Sequence, residues 1–144
     1  MPETPDADPF NLQRFVSAQE HVYPTVCAEL QEGEKDSHWM WFIFPQIKGL
    51  GFSAANRFYA ISSLEEATAY LRHPILGPRL VECTRLAVQI EGSSIRQIFG
   101  WPDYRKFHSS MTLFAHAAPE NPLFRTALKK YFEGAEDSAT IERL

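Results

Sequence analysis

The chain has 144 residues, 44% of them hydrophobic, 22% charged and 13% aromatic, with a net charge of −4. That size and balance suit one globular domain with a core of its own. They disfavour nonspecific nucleic-acid binding, which needs basic side chains against phosphates, and no apolar run approaches the roughly 18 residues of a membrane span.

Residues 1–7 read as a short disordered tail, acidic and without the apolar stretch of a signal peptide. Asp8 then offers an N-cap and Pro9 a first helical position. The stripe Leu12, Phe15, Val16, Gln19, Val22, Tyr23, Val26, Cys27, Leu30 follows at helical spacing and Gly33 stops it. Pro24 inside this stripe predicts a kink or a break. Next comes SHWMWFIFPQIKGLG, residues 37–51. Ser37 suits the cap of a short helix ended by Pro45. A buried strand fits the same run equally, because short apolar segments do not separate the two.

Further on, Ser53 suits the cap of AANRFYAI, and Ser62 or Ser63 opens LEEATAYLRH with Glu65 or Glu66 completing a capping box. Pro74 begins ILGPRLVECTRLAVQIE, stopped by Gly92. Ser94 starts IRQIFG, and PDYRKFHSSMTLFAHAA reads as a helix ending before Pro119. Asn121 caps PLFRTALKKYFE, Gly134 stops it, and Ser138 caps a last turn. The expectation is an all-α, single-domain orthogonal bundle over residues 8–144, with about seven or eight helices, several of them short. The run 39–44, apolar on all sides, is expected to be the least exposed segment. Cys27 and Cys83 fall on apolar faces at a spacing that matches no zinc or redox motif, so both are expected reduced and mostly buried. A reducing cytoplasm fits this pattern.

No phosphate-binding loop, dinucleotide fingerprint, zinc-protease motif or nucleophile elbow is present. No cofactor is expected. The five histidines are scattered, and only Glu20 beside His21 joins one to a carboxylate, so no metal site is expected either. KGLGFS pairs two glycines with a helix entry. It reads as a plain turn or as an anion site to which Lys48 and Arg57 add charge. His38 stands among Lys35, Ser37 and two tryptophans, as a helix-start packing residue or a polar ligand contact.

Trp39 and Trp41 are core residues on one reading and ring-stacking residues on the other. Gln46 follows Phe44 and Pro45 directly, and its amide must be solvated or paired. In WPDYRKFHSSMTLF, Asp103, Lys106 and Ser110 share a helical face, with Ser109 beside them. That row is either a solvated face with an ion pair or the polar wall of a pocket. The site expected from these residues places His38, Trp39, Gln46 and Lys48 on one wall of a cleft. Asp103, Lys106 and Ser109 or Ser110 form the other, and Phe42, Ile43 and Phe44 anchor the core behind.

RFVSAQEHVY, SHWMWFIFPQIKGLGFS, YAISSLEEATAYLRHPILGPRL and FHSSMTLF resemble the domain-of-unknown-function 1810 family, small bacterial proteins sometimes mislabelled calpastatin. The resemblance runs from Asp8 to Leu144 and implies an all-α fold without an established activity. The EH pair followed by a tyrosine, and the late NPLFRTALKKYFEG, are similar to the NADAR proteins, all-α N-glycosidases acting on ADP-ribosyl or phosphoribosylamine bonds. That similarity aligns Glu20 with their glutamate, and Met111 and residues 121–128 with their late helices. Their closing D-x-x-W-G signature, with its second acid, is absent here.

Two functions follow as expectations. The first is a small-molecule or nucleotide-binding protein that hydrolyses N-glycosidic bonds in ADP-ribose-like compounds. Trp39 or Trp41 would stack a ring, Lys35, His38 and Lys48 would meet phosphates, and Asp103 or Glu20 would assist the leaving group or a water. The alternative is a noncatalytic protein-interaction module, whose aromatics are core and whose partner docks on an exposed apolar face.

Overall fold

The structure, a computed structural model, describes residues 8–144, so the expected tail at residues 1–7 lies outside the described residues. Ten helices follow in chain order: α1 Gln13–Gln19, α2 Tyr23–Glu32, α3 Met40–Ile43, α4 Ala54–Tyr59, α5 Leu64–Arg72, α6 Leu76–Gln89, α7 Ile95–Phe99, α8 Asp103–Ala117, α9 Leu123–Phe132 and α10 Ser138–Ile141. The all-α class holds. Among the described residues no strand forms, and the one ladder-like contact is an isolated parallel bridge between Ile47 and Ile61. None of these helices is long and apolar enough to cross a membrane.

The helices outnumber the expected seven or eight, partly because Pro24 breaks the first stripe in two. It occupies the first turn of α2, where a missing N–H leaves no bond unmade. Gly33, at φ +77°, ends α2 in the left-handed conformation. Asp8 does cap the chain entry, its carboxylate accepting from the backbone of Leu12 (2.7 Å) and Gln13 (2.9 Å), but the helix starts only at Gln13.

Other start signals were displaced by neighbours. Ser37 does not cap α3; its Oγ donates to Glu29 instead. Ser63 caps α5, yet Glu66 reaches Ser62 and Arg14 rather than closing a box with Ser63. Asp137, not Ser138, caps α10. Ser53 and Ser94 cap α4 and α7 as expected, Ser94 in a full capping box with Gln97.

The long helix α8 is the hub, packed against α5, α7, α9 and α10. Its residues 109–115 are all buried. This overturns the expectation that 39–44 is the least exposed segment, because Trp41 and Phe42 are only half-buried. Four helical turns enclosed by four neighbours bury more completely than one turn at the edge of the core. Within α3, Met40 and Ile43 face inward with Phe44 just beyond, at helical spacing, while Trp41 and Phe42 fall on the opposite side. Phe44 meets Phe107 edge-on at 5.0 Å and Phe99 stacks on Phe107 at 4.8 Å, so α3, α7 and α8 share one aromatic cluster.

Two further contacts set the helix spacing. A Cβ on Gly77 would lie 2.0 Å from the Leu71 carbonyl oxygen, so α6 approaches the end of α5 backbone to backbone. Arg14 spans α1, the end of α4 and α5. Its guanidinium donates to the carbonyls of Phe10, Asn11, Phe58 and Ala60 and pairs with Glu66 at 2.9 Å. Cys27 and Cys83 are both free thiols. Cys83 is buried and burial pushes its pKa up, whereas Cys27 is half-buried.

Candidate functional site

α3, the loop after it, the first turns of α8 and the C-terminal segment enclose one cleft of about 390 Å³. Pockets that hold small molecules begin near this size. Pro102, Arg105, Lys106, His108 and Ser109 line it from the α8 side, while Trp41, Gln46, Leu50, Gly51, Phe52, Ser53 and Asn56 line it from the facing side, with Asp137 and Ala139 closing the end. A second depression is lined by Glu65, Thr68, Ala69, Arg72 and His73. All five belong to α5 or its C-cap, so no other element closes that surface.

The charge arrangement is built around Asp103. Its Oδ2 pairs with Lys35 at 2.8 Å and its Oδ1 with Lys106 at 3.3 Å. Each lysine also lies against an indole: Lys35 Nζ is 5.1 Å from the Trp39 ring centroid and Lys106 Nζ 4.5 Å from that of Trp41. Asp103 does not line the cleft; it fixes the ammonium that does. Arg105 makes no ion pair among the described residues. The lining therefore carries two cations against one carboxylate, Asp137, on a protein of net charge −4. Such a local excess of positive charge favours an anion.

Asp137 is held by its role as a helix cap. Its Oδ2 accepts from Ser109 Oγ (3.1 Å), Thr140 N (3.1 Å) and Thr140 Oγ (2.6 Å), while Oδ1 accepts no hydrogen bond among the described residues. His108 stacks flat on Phe132, 4.0 Å between centroids, and its Nε2 lies 2.8 Å from the Ala135 carbonyl. A carbonyl only accepts, so Nε2 carries the proton and Nδ1 bears the lone pair in the neutral ring.

Behind the cleft, Glu29 organises the segment that leads into α3. Its buried carboxylate accepts from Asp36 N (2.8 Å), Ser37 N (3.0 Å), Ser37 Oγ (2.6 Å) and Trp39 Nε1 (2.9 Å). Burial alone would raise its pKa, but these donors outweigh burial and hold it at about 2.

Of the residues singled out in the sequence, Trp41, Gln46, Lys106 and Ser109 come together around the cleft. Trp39 does not: it is 1% exposed, and its indole is committed to Glu29, Phe44 and Phe99. Ser110 is fully buried with an unpartnered hydroxyl. Lys35 stands one shell back, paired with Asp103. His38, Lys48 and Glu20 are exposed and lie outside the lining, as does Arg57. The sequence reading missed Asp137 and Asn56 as lining residues and Glu29 as the anchor; Phe52, Arg105 and His108 fall within KGLGFS and DYRKFHSS, segments it drew on without singling them out. A clue to Glu29 was available, since it lies three residues after Val26 and one before Leu30, close to the apolar stripe. Among the described residues no three His, Cys, Asp or Glu side chains gather at a metal-sized position.

The family model described as a protein of unknown function, DUF1810, matches residues 9–144, and the chain belongs to that family. Its structure is similar to the crystal structure of the conserved hypothetical protein Rv1873 from Mycobacterium tuberculosis. The two chains are 56% identical, with a TM-score of 0.94, over 95% of this chain and 98% of that one. No curated protein matches the chain.

Proposed function

We propose that the cleft binds a small anionic molecule carrying a flat ring, of the nucleotide class. The observation that carries this reading is the pairing of Trp41 with Lys106 on the cleft lining. An anionic group that meets this ammonium is held within reach of an aromatic face, and Arg105 adds a second cation that makes no ion pair among the described residues. Stacking on an indole contributes about 1–3 kcal/mol per base in other proteins. A finer reading adds hydrolysis of an N-glycosidic bond in ADP-ribose-like compounds. That chemistry needs a carboxylate on the cleft wall to steady the developing cation or take a proton from water. Asp137, the carboxylate on the lining, would take that role. Asp103 is neutralised by two lysines, and Glu20 lies outside the cleft.

A second reading rests on exposed aromatics, one of which, Phe52, also lines the cleft. Phe52, Trp101 and Phe58 are 82%, 71% and 55% exposed, and a protein partner would dock on them where exposed apolar side chains adjoin in one patch. Calorimetric titration with AMP and with ADP-ribose separates the two. The small-molecule reading expects saturable binding that Trp41→Ala abolishes. Absence of binding by both compounds and by every other nucleoside monophosphate sinks it and leaves the interaction module.

A further inference from the structure

We propose that the amides of Gln46 and Asn56 form a reading edge for the ring that stacks on Trp41, so that the ligand ring is a heterocycle with a hydrogen-bond donor and an acceptor, as in a nucleobase. This rests on the reading of the cleft as a ligand site. Asn56 Nδ2 donates to Gln46 Oε1 at 3.3 Å. That bond orients both amides and leaves the Gln46 amino group, a donor, and the Asn56 carbonyl oxygen, an acceptor, without a side-chain partner among the described residues. One free donor and one free acceptor are what a base edge, with its own donors and acceptors, can pair with.

Three observations place this pair at the right spot. First, Trp41, Gln46 and Asn56 line both the cleft and a recess of about 10 Å³ that Tyr59 and Ala60 also line. The recess is close to the least space that holds one water, and so fits one small exocyclic group on the edge of a ring. Second, Gly51 has no backbone need to be glycine, since it is not among the glycines with positive φ. A Cβ there would lie 2.6 Å from Asn56 Nδ2 and 2.7 Å from its Cγ. The glycine makes room for the Asn56 amide. Third, both amides stand on fixed backbone. Asn56 N donates to the Ser53 cap at 3.0 Å, and the Gln46 carbonyl accepts from Ile61 N at 2.8 Å beside the Ile47–Ile61 bridge. A recognition group held this way keeps its geometry when the ligand leaves.

A site built to bond a polar edge rejects a ring that lacks one, because its own donor and acceptor are then left unpaired. Calorimetry with AMP, GMP, CMP and UMP against phenyl phosphate tests this, since phenyl phosphate offers a ring and an anion but no edge. At least one nucleotide should bind tenfold or more tighter than phenyl phosphate. Asn56→Ala should bring the two within about twofold, and Gly51→Ala should act in the same direction by displacing the amide. Melting curves establish that each variant is folded. Equal binding of phenyl phosphate and every nucleotide, or an unchanged gap in folded Asn56→Ala, overturns the inference while leaving the cleft reading standing. Failure of all five compounds to bind overturns the cleft reading and this inference with it.

Discussion

Lys106 Nζ lies 4.5 Å from the centre of the Trp41 ring and 3.3 Å from Asp103 Oδ1, so one ammonium joins the aromatic wall of the cleft to a carboxylate behind it. The consequence is a cation whose position is set before any ligand arrives, which lowers the ordering cost of binding. Replacing Lys106 by methionine keeps the aliphatic stem over the indole and removes the charge. AMP affinity should fall about tenfold, roughly 1.4 kcal/mol, and its salt dependence should weaken. The melting temperature should change little, because the pair is partly solvated. Titrations at two ionic strengths read both effects, and unchanged affinity would remove Lys106 from the site.

Glu29 gives the fold a defined acid response. A carboxyl whose folded-state pKa sits at about 2, below its ordinary 4.5, stabilises the protein fully above the ordinary value. That contribution fades as pH falls from about 4.5 towards 2. Its size is on the order of 3 kcal/mol, taking 1.36 kcal/mol per pKa unit. Glu29→Gln should lose about 2 kcal/mol at neutral pH and flatten the stability profile in that window. Urea melts between pH 2 and 7 check this, and an acid limb as steep as that of the wild type would count against it.

The Arg14–Glu66 pair should behave as a buried one, with side chains 9% and 3% exposed. Arg14→Ala leaves the Glu66 charge uncompensated and the carbonyls of Phe10, Phe58 and Ala60 without the guanidinium donor, and should cost about 3–5 kcal/mol. A loss below about 1 kcal/mol, measured by chemical denaturation, would mean that water replaces the guanidinium freely.

Phe44 and Phe42 are two positions apart but differ in environment. Phe44 is fully buried against Phe99 and Phe107, and Phe42 is half-buried beside Tyr59. Phe44→Ala should cost about 3–5 kcal/mol, and Phe42→Ala clearly less. Equal losses would contradict the inward and outward faces assigned to α3.

What the sequence disclosed follows from where local signals decide the structure. Pro24, Gly33, Ser53 and Ser94 act within their own turn, and each ends, breaks or caps a helix as its chemistry requires. Ser37 and Glu66 have the same local chemistry but found partners on other helices, in Glu29 and Arg14, which no window of sequence contains. The tryptophans mark the sharper limit. A run that is apolar at every position carries no period, so nothing in WMWFIF says that Trp39 turns into the core and Trp41 towards the cleft. Gly51 was legible as a flexible loop residue, yet its use is spatial, since the Asn56 amide fills the volume a side chain would take.

The central claim is that Trp41 meets the ligand ring, and its indole N–H reports on it directly. The chain has three tryptophans, hence three indole signals in a nitrogen–proton correlation spectrum, assigned by Trp→Phe substitution at 39, 41 and 101. In a titration with AMP, the account predicts a saturable shift of the Trp41 signal, while Trp39, buried and bonded to Glu29 at 2.9 Å, stays in place. A Trp41 signal that does not move at saturating AMP, or a shift confined to exposed Trp101, would contradict it.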